Sequence, residues 1–221
     1  MKPLYEQKLW DKGYQQIAGV DEAGRGPLAG PIVAAAVIFP PGLKIPGLND
    51  SKKLSPKKRE KIYAILKRKK IMAGVGTVSS KEIDTIKIQK ANRLAMGKAV
   101  KNLPLLPDFI LVDGNRIGID LPISQQRVVK GDSLCPSIAA ASIIAKVTRD
   151  RIMLKYHKKY ANYGFDRHKG YGTAEHIRKL KEYGPCPIHR RSFYPVNVAT
   201  YPSTALGIKR SPLLDAKILP C

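Results

Sequence analysis

Short apolar runs separated by polar and amphipathic stretches organise most of this chain. Five runs have the length and composition of buried strands, over residues 17–21, 32–39, 73–78, 109–112 and 126–129. The second run reads I-V-A-A-A-V-I-F, and Pro40-Pro41-Gly42 ends it. The third run contains two glycines, which weaken it as a strand prediction. The pattern therefore predicts a sheet of five strands.

Capping residues and apolar spacing predict four helices. Ser55 before Pro56 is a favourable helix start. Ser79 followed by Glu82 forms a capping box, which starts a helix that runs to about residue 102. The other two helices are predicted over residues 136–160 and 173–183. The apolar positions expected to face inward are Ile62, Ile65 and Leu66 in the first helix and Ile83, Ile86, Ala91, Leu94 and Ala95 in the second.

The order of these elements predicts an α/β fold, with a mixed sheet covered by helices. The first three strands follow one another in hairpin-like succession, whereas the later strands alternate with helices. We expect one domain over residues 1–195, which includes the C-terminal helices. Residues 196–221 are predicted to form a tail or a small extension, because the region after Pro195 is weakly patterned.

The charge balance is the unusual feature of the composition. Lys and Arg number 40 against 17 Asp and Glu in 221 residues, a formal net charge of +23. Such an excess attracts phosphate backbones, although a merely soluble basic surface or a membrane-surface binder would also account for it. No apolar run approaches the roughly 20 residues that cross a bilayer. The first ten residues lack the apolar core of a signal peptide, so we expect a cytoplasmic protein.

The thiol and imidazole side chains do not predict a metal site. Cys135, Cys186 and Cys221 are odd in number and widely spaced, so we expect reduced thiols. The four histidines lack ligand spacing, and we expect His168 and His176 to be surface or packing residues.

Four acidic residues occupy matching positions at the ends of predicted strands. Asp21 and Glu22 follow the first strand, Asp113 follows the fourth, and Asp132 follows the fifth. Neighbouring strands lie about 4.8 Å apart, so acids at their ends can converge. Carboxylates without His or Cys are hard oxygen ligands that favour Mg²⁺ or Mn²⁺. A bound cation also relieves the repulsion between them.

Each acid also has a plainer interpretation. Asp113-Gly114 is a common turn sequence, and Asp132 can simply flank a helix. In a regular strand, Asp21 and Glu22 point to opposite faces of the sheet. Both face one site only if the chain bends at Glu22, which the following Ala-Gly pair would permit.

Five sequence motifs surround these acids. They are D-E-A-G-R-G-P-L-A-G-P (21–31), N-D-S-K-K-L (49–54), L-V-D-G-N (111–115), K-G-D-S (130–133) with S-I-A-A-A-S-I-I-A-K-V-T-R-D (137–150), and H-K-G-Y-G-T (168–173). In this order and spacing they closely resemble ribonuclease HII, a family of the ribonuclease H superfamily. The resemblance covers residues 17–195. The sister family, ribonuclease HIII, is expected to carry a different loop at G-R-G.

The resemblance implies a ribonuclease H-like fold, with a five-stranded mixed sheet, flanking helices and a C-terminal helical part. It implies endonucleolytic hydrolysis of the RNA strand of RNA–DNA hybrids. It also implies cleavage 5′ to single ribonucleotides in duplex DNA, which leaves 3′-OH and 5′-phosphate ends. The residues that match the family's four catalytic metal ligands are Asp21, Glu22, Asp113 and Asp132. Two divalent ions can activate a water and stabilise the leaving oxygen.

Two further motifs match substrate-binding residues of the family. Gly24, Arg25 and Gly26 match the loop that reads the ribose 2′-OH, partly through backbone groups, and glycines allow that close approach. Tyr171 matches the tyrosine that packs on the sugar at the junction. The alternative for Tyr171 is a buried core residue, for which G-Y-G is a poor context.

Basic residues near these motifs are candidates for phosphate contacts, which position a duplex without reading its bases. Lys52 and Lys53, before a helix, are the better candidates near the site. The further candidates are Lys146, Arg149, Arg151, Lys169, Arg190 and Arg191. Most basic residues over 57–70 are expected to solvate the outer face of a helix.

We therefore expect a monomeric, Mg²⁺- or Mn²⁺-dependent ribonuclease that acts on RNA–DNA hybrids and on ribonucleotides in duplex DNA. A non-catalytic, basic RNA-binding protein is the main alternative, and it would need neither four acids nor a metal. A nuclease specific for DNA junctions would have no use for a loop that reads a 2′-OH. The sequence leaves the preferred metal and any contact with a replication clamp undecided.

Overall fold

A five-stranded sheet forms the centre of the protein. The computed structural model describes residues 3–69, 71–114 and 118–199. The strands are β1 (Ile17–Ala23), β2 (Ile32–Ile38), β3 (Met72–Val78), β4 (Phe109–Asp113) and β5 (Ser124–Val128). They lie in the order β3-β2-β1-β4-β5. β1, β2 and β3 pair antiparallel, whereas β1, β4 and β5 pair parallel. This confirms the predicted mixed sheet.

Helices cover the sheet and build a C-terminal lobe. They are α1 (Leu4–Trp10), α2 (Pro56–Arg68), α3 (Ser80–Lys101), α4 (Gly131–Leu134), α5 (Pro136–Lys159), α6 (Phe165–His168) and α7 (Ala174–Tyr183). Short 3-10 turns occur at Ser51–Lys53, Ala161–Tyr163 and Val196–Val198. The four predicted helices begin within one residue of their predicted starts. Ser55, Ser79 and Thr173 cap three of them through side-chain hydrogen bonds, and α5 starts at Pro136 without such a cap. The sequence pattern missed α1, α4 and α6.

Each face of the sheet packs against its own helices. α3 covers one face, with Ala34 and Ala36 of β2 beneath it. α2 and α5 cover the other face, above Ala35 and Val37. Every residue of β2 is buried, as expected for a central strand that is covered on both faces.

Glycines in the strands mark where the helices approach most closely. A Cβ at Gly19 of β1 would lie 2.3 Å from the backbone nitrogen of Ile138 in α5. A Cβ at Gly76 of β3 would lie 2.0 Å from the carbonyl oxygen of Ala95 in α3. The glycines that weaken the third strand as a sequence pattern therefore let α3 rest directly on its backbone.

One prediction about α3 is wrong. Lys87 lies inside α3 with φ 68° and ψ 156°, outside the helical region. The break changes the phase of the helix, so beyond it Ala91 and Ala95 are buried as predicted, but the buried face is rotated relative to the predicted one. Leu94, predicted to face inward, is 40% exposed, whereas Asn92 and Met96 are buried instead.

The C-terminal segment packs back onto the loop after β1. Ala29 and His189 form an isolated antiparallel bridge. The Gly30 N–H donates to the Ile188 carbonyl, and the Arg190 N–H donates to the Leu28 carbonyl, each at 2.8 Å. Residues 28–30 are thereby joined to residues almost 160 positions later in the chain.

The structure also bears on the predictions about the cysteines and about membrane-spanning segments. Cys135 and Cys186 are buried free thiols, as expected, while Cys221 lies outside the described residues. Among the described parts of the chain, no helix is both long enough and apolar enough to cross a membrane.

Val196 is buried beside Leu28 and Leu180, and residues 200–221 lie outside the described ranges, so the boundary at residue 195 stays a prediction.

Gly19→Ala should destabilise the protein by about 3 kcal/mol or more, because its Cβ would collide with the backbone of α5, which cannot move aside as a side chain can. Gly97→Ala is the matched control. Gly97 lies inside α3, where a Cβ meets only Ile119 at 3.9 Å, so this change should stabilise by about 0.5–1 kcal/mol. Urea unfolding of both variants measures the difference, and equal stabilities would contradict the proposed contact.

Candidate active site

Three aspartates converge at one edge of the sheet. β1 and β4 are parallel neighbours with Val20 paired to Val112. Asp21 and Asp113, which directly follow this pair, therefore lie side by side on the two strands. Asp132 follows β5 and lies in α4. One carboxylate oxygen from each aspartate lies within 4.8 Å of the others. The predicted convergence of strand-end acids is therefore present for these three residues.

The short helix α4 is built against Asp113. The Asp113 Oδ1 atom accepts hydrogen bonds from the backbone N–H of Gly131 at 2.8 Å and of Asp132 at 3.4 Å. A side chain at position 131 would collide with Ile138, because its Cβ would lie 2.5 Å from the Ile138 Cδ1. Glycine at 131 thus allows Asp113 to fix the start of α4, and with it the position of Asp132.

Burial makes the negative charges of this cluster costly. It raises the pKa of Asp21 well above its usual value, and the charges of Glu22 and Asp113 add to the effect. Burial and then the charge of Asp113 raise the pKa of Asp132 to about 6. The Glu22 backbone N–H donates to Asp21 Oδ1 at 2.7 Å and acts in the opposite direction. The carboxylates repel one another in a site that water reaches poorly.

Glu22 does not join the group of three. β1 continues as a regular strand through Ala23, so the bend at Glu22 that would bring both acids to one face is absent. Asp21 pairs with Ala35 beneath α5, whereas Glu22 pairs with Ala34 beneath α3. The Glu22 carboxylate instead forms an ion pair with Arg25 at 3.3 Å. Burial raises its pKa, and the charge of Asp113 also reaches it, so Glu22 borders the group from the other face.

The loop that carries Lys52 and Lys53 approaches the carboxylates from the α5 side. The Lys52 Nζ lies 3.9 Å from Asp132 Oδ2, and the Lys53 Nζ donates to the Ser133 hydroxyl at 3.1 Å. Although partial burial acts against it, the charges of Asp21 and Asp132 raise the pKa of Lys52. Both predicted lysines therefore lie beside the acidic group, and the Lys52 side chain is 82% exposed and open to a ligand.

Asp50 is a fifth acid that the sequence pattern did not single out. It is buried, and its side chain accepts from the Lys52 N–H at 2.8 Å. After burial and the charge of Asp113, the charge of Asp50 also raises the pKa of Asp132. The available signal was its position directly before Ser51, where an aspartate commonly caps a turn.

The donor set fits a hard divalent cation. It consists of carboxylate oxygens alone, converging within 4.8 Å, with no Cys or His among them. The raised pKa values of Asp21 and Asp132 indicate that the protein's own groups compensate the charged forms only in part. A cation bound between these oxygens would supply that compensation.

The predicted G-R-G loop lies directly beyond β1. Gly24 is buried with φ 99°, where a Cβ would lie 2.1 Å from the Arg149 Nε. Gly26 is exposed, and a Cβ built there would meet nothing within 4 Å. The Gly24 and Arg25 carbonyls accept from Arg190 at 2.5 and 2.8 Å. In a trans peptide the following N–H points opposite to the carbonyl, so the Arg25 and Gly26 N–H groups point away from the buried Arg190 guanidinium.

Tyr171 lies beside this loop and is 44% exposed, so it is not a core residue. Its segment packs against the loop, because the Leu28 N–H donates to the Gly170 carbonyl at 2.8 Å. The Tyr171 carbonyl accepts from the Thr173 N–H at 2.8 Å and from the His176 Nδ1 at 2.9 Å. The structure thus brings the two predicted substrate-binding segments together.

Two hydrogen-bonded neutral histidines hold the backbone of Tyr171 in place. His189 Nδ1 accepts from the Cys186 N–H at 3.0 Å, which leaves its Nε2–H to donate to His176 Nε2 at 3.0 Å. His176 then donates from Nδ1 to the Tyr171 carbonyl. Burial lowers the pKa of His176 to about 4 and that of His189 to about 3. As predicted, His168 and His176 are packing residues, and their rings stack with centroids 4.4 Å apart.

Several basic residues that were expected to contact a duplex are buried or already have a partner within the protein. Arg149 and Arg190 are fully buried, so neither can line a duplex as predicted. Lys146 forms an ion pair with Asp150 at 2.7 Å, and Arg151 pairs with Glu60 at 2.7 Å. The Lys169 ammonium turns back to the Asp166 carbonyl. Counting charges along the sequence could not separate buried structural arginines from free surface ones.

Comparison with known proteins shows the family and the fold of the chain. The family model described as ribonuclease HII matches residues 18–196. Ribonuclease HII of Acetivibrio thermocellus is 56% identical over 190 residues, which are 86% of this chain and 74% of that protein. The crystal structure of ribonuclease H2 from Pyrococcus horikoshii is similar with a TM-score of 0.71 and 30% identity, over 84% of this chain and 97% of that one. The structure of Bst-RNase HIII in complex with Mn²⁺ shares the fold, with a TM-score of 0.62 and 19% identity over 84% of this chain and 69% of that one.

Asp132→Asn should stabilise the metal-free protein at pH 8 and raise its melting temperature by about 2–4 °C, because one of three mutually repelling carboxylates is removed. The same variant should lose most of the stabilisation that added Mn²⁺ gives the wild type. Thermal unfolding with and without Mn²⁺ measures both effects. Asp120→Asn, at an exposed position, is the control and should change neither. A lower metal-free melting temperature with a full response to Mn²⁺ would exclude Asp132 from the cation site.

His189→Gln should make stability less sensitive to acid. The pKa of His189 is about 3 in the folded protein and about 6.5 when unfolded, so acidification below pH 6.5 favours the unfolded state. As the pH falls from 6.5 to 4.5, the difference between wild type and variant in the free energy of unfolding should shrink by up to about 1.4 kcal/mol per pH unit. Urea unfolding across this range measures the difference. Arg178→Lys, in an exposed ion pair, should show a constant difference; a constant difference for His189→Gln would refute the neutral histidine pair.

Proposed function

This chain belongs to the ribonuclease HII family of metal-dependent endoribonucleases, and on that basis we propose its substrates and the roles of its residues. We propose that it hydrolyses the RNA strand of RNA–DNA hybrids and cuts 5′ to single ribonucleotides in duplex DNA. The observation that carries this proposal is the convergence of Asp21, Asp113 and Asp132 directly beside a loop with outward backbone N–H groups.

The proposed cation ligands are Asp21, Asp113 and Asp132, with Glu22 contributing from the opposite face of β1. The preferred cation in this proposal is Mg²⁺ or Mn²⁺, with two ions during reaction. When bound, the cations favour ionisation of an attacking water and offset charge on the scissile phosphate. The protein's own part is to hold the carboxylates converged despite their repulsion, through α4 and the buried edge of the sheet.

The proposed sugar-reading groups are the outward N–H groups of Arg25 and Gly26. Such donors can bond to a ribose oxygen, and the open space at Gly26 leaves room for a sugar to approach. The half-exposed ring of Tyr171 would pack on that sugar, since the ring lies in the adjacent segment. Replacing ribose with deoxyribose would leave one of these donors without its acceptor.

The proposed phosphate contact nearest the carboxylates is Lys52, with Lys53 beside it. Both lie at the acidic group, and the exposed Lys52 ammonium offers a charge to a phosphate oxygen. Lys169 and Lys146 are secondary candidates, and each would first have to leave its present partner. The remaining positive charge of the chain attracts the duplex without reading its sequence.

Cleavage of a labelled DNA duplex with one internal ribonucleotide tests the proposal. We expect a metal-dependent cut on the 5′ side of the ribonucleotide and no cut in the matching all-DNA duplex. Asp113→Asn should lower the rate by at least about 100-fold, because it removes a charged ligand while the similar shape retains the fold. Duplex binding in EDTA should survive that change.

Three other outcomes would be informative. Cleavage of both duplexes would contradict reading of the 2′-OH. Binding without cleavage in either Mg²⁺ or Mn²⁺ would favour a non-catalytic RNA-binding protein. An Asp113→Asn variant that cuts at the wild-type rate would remove that residue from the reaction.

A further inference from the structure

Two arginine side chains lie in the interior of the protein, where arginine is rarely found without an acidic partner. Arg149 of α5 and Arg190 of the C-terminal segment are both fully buried. Within the described ranges, neither has an Asp or Glu oxygen within 4.0 Å. Their charges are instead met by backbone carbonyl oxygens, and nearly all of these belong to one loop.

Arg190 holds the G-R-G loop from the inside. Its Nε donates to the Gly30 carbonyl at 3.0 Å, and its two terminal nitrogens donate to the carbonyls of Arg25 at 2.8 Å and Gly24 at 2.5 Å. Three nitrogens of one planar guanidinium therefore fix the segment of residues 24–30 at its start and at its end. The lysine ammonium, with a single nitrogen, could not span the same carbonyls.

Arg149 ties this loop to the Tyr171 segment. Its Nε donates to the Pro31 carbonyl at 2.9 Å and one terminal nitrogen donates to the Ala29 carbonyl at 3.1 Å. The other terminal nitrogen donates to the Lys169 carbonyl at 3.0 Å. The guanidinium carbon also lies 5.9 Å from the centre of the Tyr171 ring. One side chain thus contacts both segments that are proposed to read the sugar.

The backbone around Arg190 is itself anchored, so the guanidinium has a fixed base. The Arg190 N–H donates to the Leu28 carbonyl at 2.8 Å. The next two residues are held by Asp84 of α3, which accepts from the Arg191 N–H at 2.8 Å and the Ser192 N–H at 2.9 Å. A shift of the loop would therefore require this whole attachment to move.

Burying two neighbouring positive charges inside the protein costs free energy. Burial lowers the pKa of Arg190 to about 9, with the charge of Arg149 adding to the effect, and burial lowers the pKa of Arg149 to about 10. Both side chains remain charged at neutral pH, so their hydrogen bonds to the carbonyls are charge-assisted. An apolar side chain at either position would leave these carbonyls without donors, so the arginines also contribute to stability. Their hydrogen bonds in addition determine where the loop's peptide groups point.

We propose that Arg190 and Arg149 are positioning residues for recognition of the ribose 2′-OH. By drawing the Gly24 and Arg25 carbonyls inward, Arg190 turns the following two N–H groups toward the substrate. Arg149 sets the distance between this loop and Tyr171. The inference deepens the proposed function and rests on it.

The test compares binding of two duplexes that differ in one sugar. One carries a single ribonucleotide and the other is all DNA, and both affinities are measured in EDTA, where cleavage cannot occur. Arg190→Lys should reduce the preference for the ribonucleotide duplex by about 10-fold or more, with the all-DNA affinity within about twofold of wild type. Cleavage at the ribonucleotide in Mg²⁺ should fall by about 100-fold, the scale expected for a misplaced site.

Tyr163→Phe is the matched control for a purely structural loss. The Tyr163 hydroxyl donates to the Gly184 carbonyl at 2.7 Å, and phenylalanine keeps the ring that packs against His189. Its removal should lower the melting temperature and leave the preference between the two duplexes unchanged. The preference is the ratio of the affinities of one protein sample for the two duplexes. A smaller folded fraction lowers both apparent affinities equally, so it does not change this ratio.

Arg149→Lys provides a second variant in case Arg190→Lys does not fold. It should also reduce the preference, and in the double variant the two losses should be less than additive because both arginines hold one unit. The inference is overturned if the folded lysine variants retain the wild-type preference while activity falls only in step with stability. It is also overturned if neither variant folds, since both arginines would then be determinants of the fold. Failure of the wild type itself to prefer or cut the ribonucleotide duplex would overturn the proposed function, and the inference with it.

Discussion

The mutual repulsion of buried carboxylates at one edge of the sheet is the constraint on which the surrounding structure depends. Asp21, Asp113 and Asp132 have oxygens within 4.8 Å of one another, and the pKa values of Asp21 and Asp132 are raised. Such a group stays converged only if the backbone that carries it is rigid. The parallel pairing of β1 with β4 and the capping of α4 by Asp113 supply that rigidity, while Lys52 supplies a nearby positive charge.

Helix α5 connects this centre to the loop that is proposed to read the sugar. Near its start it rests on β1, where Gly19 has no side chain to separate them. One turn further, the Ser142 hydroxyl lies beside Asp21. Two turns beyond, Arg149 donates to the loop carbonyls. A single rigid helix therefore sets the distance between the carboxylates and the recognition loop, which chemistry at a sugar junction requires.

Local signals in the sequence predicted the elements well. Ser55, Ser79 and Thr173 begin helices because their side chains bond to backbone N–H groups within the same turn. The prediction failed for Leu94, which is exposed because the break at Lys87 changes the phase of α3. Glu22 lies on the opposite face of β1 from Asp21 because β1 runs straight, and its role as a cation ligand stays a prediction.

The sequence by itself determined the chemical character of the site: acids at strand ends, glycines in the following loop and a large positive charge. These are properties of residue type and local order, so the chain carries them before it folds. Only the tertiary structure decided which acids converge and that Arg149 and Arg190 are internal. Arg190 meets Gly24 across 166 positions of sequence, and burial is a property of such distant contacts. A side chain's type fixes the bonds it can make, whereas the packing of remote segments fixes its partners and its exposure to water.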